Sequence, residues 1–131
     1  MALTSTQTYV NLHVRNVKQS IAFFTGLGFA LDMKFTDEER AACIVIGDNL
    51  FVMLTNEEFF KSLTNKEIVN TDKHAQFTLA LFVENRDKVD EIVNTAASLG
   101  GKIITEPEDH GFMYQWGFQD LDGHLWAIGA A

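Results

Sequence analysis

The 131-residue chain carries 10 Lys and Arg against 18 Asp and Glu, a formal charge of −8, which argues against a nucleic-acid partner because phosphate binding needs a basic face. Its 47% apolar share is ordinary for a globular domain. No apolar run approaches the ~20 residues of a membrane helix, and no basic-then-apolar leader opens the chain, so one soluble cytoplasmic domain without a membrane partner is expected.

Residues 9–14, Tyr-Val-Asn-Leu-His-Val, alternate apolar and polar side chains and predict a half-buried strand. Val10, Leu12 and Val14 share one face, Tyr9, Asn11 and His13 the other. Asn16 offers an N-cap with Gln19 three residues on, the spacing of a capping box. A helix is predicted over about 17–25, with Val17, Ile21 and Phe24 on its apolar stripe and Gly26 and Gly28 at its end. Three segments rich in strand formers follow: Phe29–Phe35, Ala41–Ile46 and Leu50–Leu54. Asp37-Glu38-Glu39 and Gly47-Asp48-Asn49 separate them with turn chemistry, which predicts hairpins. Residues 57–63 suit a short helix. The polar, poorly periodic stretch from Thr64 to His74 reads as a connection.

The second half repeats the first. Gln76–Val83 predicts a strand, Asn85 a cap, and Lys88–Leu99 an amphipathic helix with Val89, Ile92, Val93, Ala96 and Ala97 as its stripe. Gly100-Gly101 ends it. Lys102–Thr105, Met113–Gln119 and Leu125–Ile128 predict three strands, the last two joined by the turn Asp120-Leu121-Asp122-Gly123. In letters, Leu12-x-Val14-x-Asn16 matches Leu81-x-Val83-x-Asn85 at an offset of 69, and Leu27-Gly28 matches Leu99-Gly100 at an offset of 72. The expected fold is α+β: two tandem βαβββ modules, about 7–56 and 76–130 with a connection over 57–75, forming a curved, eight-stranded mixed sheet around an open cup.

Val14-Arg15-Asn16-Val17-Lys18-Gln19-Ser20-Ile21-Ala22-Phe23-Phe24 followed by Leu27-Gly28-Phe29 resembles the opening of vicinal oxygen chelate proteins, the glyoxalase, bleomycin-resistance and extradiol dioxygenase group. Asp120-Leu121-Asp122-Gly123-His124 resembles their closing hairpin. The resemblance runs from about Tyr9 to Ile128 and is nearest the branch labelled predicted lactoylglutathione lyase. It implies one divalent metal in the cup, held by two His or Gln and two Glu, and, commonly, a homodimer. Carried over residue by residue, the ligand positions fall at Tyr9, near Met53, at Thr78 and at Ala127. These cannot replace that set: Ala127 has no donor, Thr78 is a poor one, and Met53 is soft. A slip of one residue brings in Val52, Leu54, Trp126 or Ile128, which are no better. No cofactor is therefore expected at the family site, and a divalent metal only at another one.

The cup is expected to take a small, partly apolar molecule, lined by Tyr9, Asn11, His13, Phe51, Met53, Thr78, Phe82, Tyr114 and Trp116; the alternative is a dry core. His13 and His110 are the weak catalytic candidates, His110 by its place in the polar loop 106–111. His124 reads as a surface or hairpin residue and His74 as solvated. Asp120 and Asp122 are better explained by backbone hydrogen bonding than by acid–base work. Glu57, Glu58, Glu106, Glu108 and Asp109 read as solvated charge. Cys43, the lone cysteine, reads as a buried thiol. Phe59-Phe60 reads as an exposed pair that suits a dimer. Three functions follow: a metal-independent small-molecule binder, a lyase or dioxygenase with a displaced metal, or a regulatory interaction domain.

Overall fold

Asparagine caps and glycine stops set the limits of both long helices, and the strands fall around them. The computed structural model describes all residues, 1–131. Their order is β1 (Thr8–His13), α1 (Val17–Gly26), β2 (Ala30–Leu31), a 3₁₀ turn (Met33–Phe35), β3 (Ala41–Val45), β4 (Leu50–Thr55), α2 (Glu57–Lys61), β5 (Thr78–Phe82), α3 (Arg86–Ser98), β6 (Glu108–Asp109), β7 (Tyr114–Gln119) and β8 (Leu125–Ala130). The chain divides into two compact units, Met1–Ile68 and Val69–Ala131, and the break falls inside the expected connection. The eight strands form two hydrogen-bonded sheets of four, ordered β1-β4-β3-β2 and β5-β8-β7-β6. In each, the first strand pairs parallel to the last and the other pairs are antiparallel. The fold is thus α+β, built from two βαβββ modules of one topology.

In the first unit, the Asn16 side chain accepts from the Gln19 N–H and starts α1. Gly28 at φ +110° stops it: its N–H reaches the Thr25 carbonyl and that of Phe29 reaches Phe24, the two bonds of a Schellman end. The buried stripe of α1 is Val17, Ser20, Phe23 and Phe24. Ser20 and Phe23 are buried where Ile21 was expected. The strand expected over Phe29–Phe35 covers only Ala30–Leu31: Asp32 then accepts from the Lys34 N–H and winds Met33–Phe35 into the 3₁₀ turn.

In the second unit, Asn85 caps α3 through the Lys88 N–H. Gly100, at φ +104°, ends it with the same pair of bonds, Gly100 N–H to Ala97 and Gly101 N–H to Ala96. Val89, Ile92, Val93 and Ala96 are its buried stripe. The strand expected over Lys102–Thr105 reduces to one bridge, Lys102 with Gln119. The edge strand resumes only at Glu108–Asp109. Between them Pro107 has no N–H to donate to a ladder, and the Thr105 carbonyl accepts from the Trp116 indole.

Glycine is required at Gly123 for two reasons. Its φ is +90°, and a Cβ there would overlap the Thr71 carbonyl, whereas a Cβ at Gly28 meets nothing within 4 Å. Gly28→Ala should therefore cost only the left-handed conformation, about 1–2 kcal/mol, and Gly123→Ala should cost more. Urea unfolding of both variants checks the order; equal losses would show that the contact with Thr71 is not felt.

Candidate functional site

Strand alternation gives each sheet two faces, and one helix covers only one of them. In the first unit Leu12, Ile44, Val52 and Leu54 are fully buried on the near face, under α1. Register puts Tyr9 beside Phe51, Asn11 beside Met53, and Cys43 beside Met53 on the far face. On β3 and β4 that face is packed, while Tyr9 and Asn11 on β1 are exposed. Ala41, Cys43, Phe51 and Met53 form a buried cluster with Val45 and Phe59 packed on it. Phe59 and Phe60 are thus half-buried rather than exposed: Arg40 lies over the Phe59 ring and Phe60 meets His13 edge-on. Tyr9 stacks on Phe51 with centroids 4.9 Å apart. Burial, then Asp32, pushes the Cys43 thiol up, which leaves it unreactive.

The second unit has the same layout with different residues. Thr78 lies beside Leu125, Ala80 beside Ala127, and Gly117 opposite Ala127. The row that reads Asn11, Met53, Cys43 in the first sheet reads Ala80, Ala127, Gly117 in the second. Little side-chain volume is left there, and a cavity of about 230 Å³ opens beside Ala127 and Gly117. Thr78, Gly117, Leu125 and Ala127 form its base, and Ile104, Thr105, Glu106 and Glu108 approach from the sheet edge. The indole N–H of Trp116 donates to the Thr105 carbonyl at 2.8 Å and holds that edge segment in place.

Tyr114 lies on the near face, opposite Ala130. Its hydroxyl donates to Asp90 of α3 at 2.5 Å and the Arg86 guanidinium lies over its ring. The Asp90 hydrogen bond, with burial, pushes its phenol up to about 12. Trp116 shares this register with Ile128 and also lines the cavity. So of the nine residues expected to line one pocket, Thr78 and Trp116 line this cavity. Phe82 stands further along the far face of β5, 66% exposed. Tyr9, Asn11, His13, Phe51 and Met53 belong to the far face of the first unit.

His110 lies 3.2 Å from Glu108, and its backbone N–H donates to the Met113 carbonyl. Of the two places expected of it, surface or hairpin, His124 takes the hairpin: it is buried and stacks on Phe77, where residues before β5 cover the turn, with Thr71 donating to the Asp122 carbonyl. Ile104, Glu106, Glu108, Gln115 and Leu125 were not among the expected lining residues. Gln115 and Leu125 fall in expected strands, whereas Glu106 and Glu108 fall in a polar stretch around Pro107 that carried no strand signal.

Asp120, 4% exposed, organises the β7–β8 turn. One carboxylate oxygen accepts from the N–H groups of Asp122 and His124, at 2.9 and 3.0 Å, and the other from the Trp126 indole at 3.0 Å. With three donors committed to it, this carboxylate does structural work rather than acid–base chemistry.

A family model for the glyoxalase/bleomycin resistance protein/dioxygenase superfamily matches residues 6–128. The chain belongs to that superfamily. Solved structures agree in fold. A hypothetical protein, SA1046, from S. aureus is 25% identical with a TM-score of 0.82, over 98% of this chain and 95% of that one. A superfamily enzyme from Burkholderia phytofirmans is 19% identical, TM-score 0.78, over 93% and 95%. The fosfomycin resistance protein FosX from Mesorhizobium loti is 13% identical, TM-score 0.71, over 98% and 94%. No curated protein matches the chain.

In this superfamily member the residues at the metal positions do not fit a metal. The donor set at Tyr9, Met53, Thr78 and Ala127 contains no imidazole and no carboxylate, which hard divalent cations prefer. Met53 is buried in the apolar cluster and Ala127 offers a methyl group at the base of the cavity.

Burial raises the Asp120 carboxyl above its ordinary range, against the opposing pull of His124 and of its N–H donors. A carboxyl raised by folding contributes stability in full below its unfolded value and loses that contribution as pH rises through the folded value. The stability difference between wild type and Asp120→Asn should therefore shrink as pH rises above the ordinary aspartate range, about 4. Asp120→Ala, which strands three buried N–H donors, should cost about 3–5 kcal/mol. Urea midpoints at several pH values check both; a difference that grows with pH would refute the sign.

Proposed function

We propose that this superfamily member binds a small, partly apolar molecule in the cavity of its second unit, without a metal at the family's positions. The observation that carries this reading is the pair Ala127 and Gly117, which borders about 230 Å³ of open space beside the sheet. The lining is largely apolar with a few polar groups, the usual character of a ligand site. The volume suits a molecule of one ring, since an apolar cavity of about 150 Å³ is enough for benzene. Metal-dependent lyase or dioxygenase chemistry would need a donor set elsewhere, and within neither unit do three His, Cys, Asp or Glu side chains gather closely enough to hold an ion. The name bleomycin resistance within the superfamily agrees with binding as a sufficient activity. A cytoplasmic homodimer is part of the same reading and rests on the family resemblance.

Ligand binding to the native state raises stability, by about 2.7 kcal/mol at a hundredfold excess over Kd. A library of single-ring compounds should accordingly contain members that raise the melting temperature by several degrees. Ala127→Met, which restores the side chain found at Met53 in the first sheet, should fold and abolish these shifts. Metal analysis of the purified protein should find less than stoichiometric divalent ion. A stoichiometric metal, or a library without a single hit, would overturn the reading.

A further inference from the structure

The cavity has a bias in charge as well as in size. Two carboxylates line it, Glu106 and Glu108, and no lysine, arginine or histidine does. Register fixes the direction of one of them. Glu108 pairs with Gln115, Gln115 pairs with Gly129, and Gly129 pairs with Phe82 on the far face. Glu108 therefore points to the side of the sheet that carries Ala127, while its neighbour Asp109 points to the other side and binds Arg86 at 2.9 Å. Glu106 belongs to the edge segment that the Trp116 indole holds at Thr105. Ile104, Leu125 and Ala127 supply apolar surface in the same space. The result is an apolar hollow with negative charge along one rim, in a chain whose net charge of −8 draws cations from a distance.

We propose that this cavity selects small aromatic ammonium compounds, one aryl ring carrying a short aminoalkyl tail. The proposal rests on the binding reading above and names its ligand class. The ring lies on Ala127, Leu125 and Ile104, and the ammonium group meets the carboxylates of Glu106 and Glu108. A neutral molecule of the same skeleton keeps the ring contacts and loses the charge contact. An anionic one is disfavoured, because it brings a like charge to two carboxylates and meets no cation in the lining. Glu108 is also 3.2 Å from the His110 imidazole, so the two glutamates are not equivalent and both are changed in the test.

The probes are 2-phenylethylamine, 2-phenylethanol and 3-phenylpropionate, titrated calorimetrically into the full chain at low and high salt. The amine should bind about tenfold more tightly than the alcohol, and the acid more weakly than both. Salt should narrow the gap, since rim charges are screened. The double variant Glu106→Gln/Glu108→Gln changes exposed side chains. It should bring the amine to the level of the alcohol and leave the alcohol within about twofold of its wild-type affinity. Equal affinity for amine and alcohol, or a preference for the amine that survives in the double variant, overturns the inference while leaving the cavity a ligand site. Failure of all three probes while other single-ring compounds still raise the melting temperature overturns it too. Absence of any such shift is the separate failure of the binding reading.

Discussion

A four-stranded sheet with one helix can cover only one of its faces, and every functional feature of this chain follows from what each module does with the other. Alternation leaves no freedom in the matter. A residue under the helix has neighbours that point away from it, so the side chains that secure the core and those available for a ligand are interleaved one by one along each strand. Leu12 sits between Asn11 and His13, and Trp126 between Leu125 and Ala127. Shifting any strand by one residue would exchange the two sets, so the register that buries Trp126 and Ile128 also determines which residues border the cavity.

The features legible in the sequence are those set by local chemistry. Asn16 and Asn85 as caps, Gly28 and Gly100 as stops, and the Asp120–Gly123 turn act through backbone groups a few residues away, so their letters suffice. The internal repeat was legible because it duplicates these local signals. Features that depend on a distant partner were not. The edge strand after α3 was expected at Lys102–Thr105, but its fate is decided by Trp116, whose indole takes the Thr105 carbonyl. His124 follows a turn glycine, where surface or hairpin is the expectation, and the segment around Thr71 and Phe77 covers it. Within α1 Val17 and Phe24 are buried as expected, with Ser20 and Phe23 buried beside them in place of Ile21.

The site was less legible than the fold for the same reason. Strand alternation puts Thr78 on the face that carries Ala127, whereas Trp116 lies on the near face with Ile128 and borders the cavity where its indole reaches the Thr105 carbonyl. Tyr114 was paired with Trp116 correctly as a same-face residue, but alternation does not say which face a helix will cover. The hydrogen bond to Asp90 does. Glu106 and Glu108 looked like solvated charge because a polar run without periodicity carries no directional information. Only the pairing of Glu108 with Gln115 gives it a direction.

The two modules also differ in a way that stability alone does not explain. Cys43 and Met53 fill the far face of the first sheet with buried apolar volume, and Phe59 closes over them. At the matching places the second sheet has Gly117 and Ala127, both weak strand formers. Gly117 has a steric reason of its own, since a Cβ there would press on the Trp126 carbonyl. Ala127 has no comparable reason: it borders open space. A larger apolar side chain at that position would bury more surface and gain roughly 1 kcal/mol for each methylene removed from water. The chain forgoes that gain in the one sheet whose edge brings Glu106 and Glu108 to the same space. The difference between the modules is thus one of side-chain volume: buried apolar groups at Cys43 and Met53 in the first, open space at Ala127 in the second.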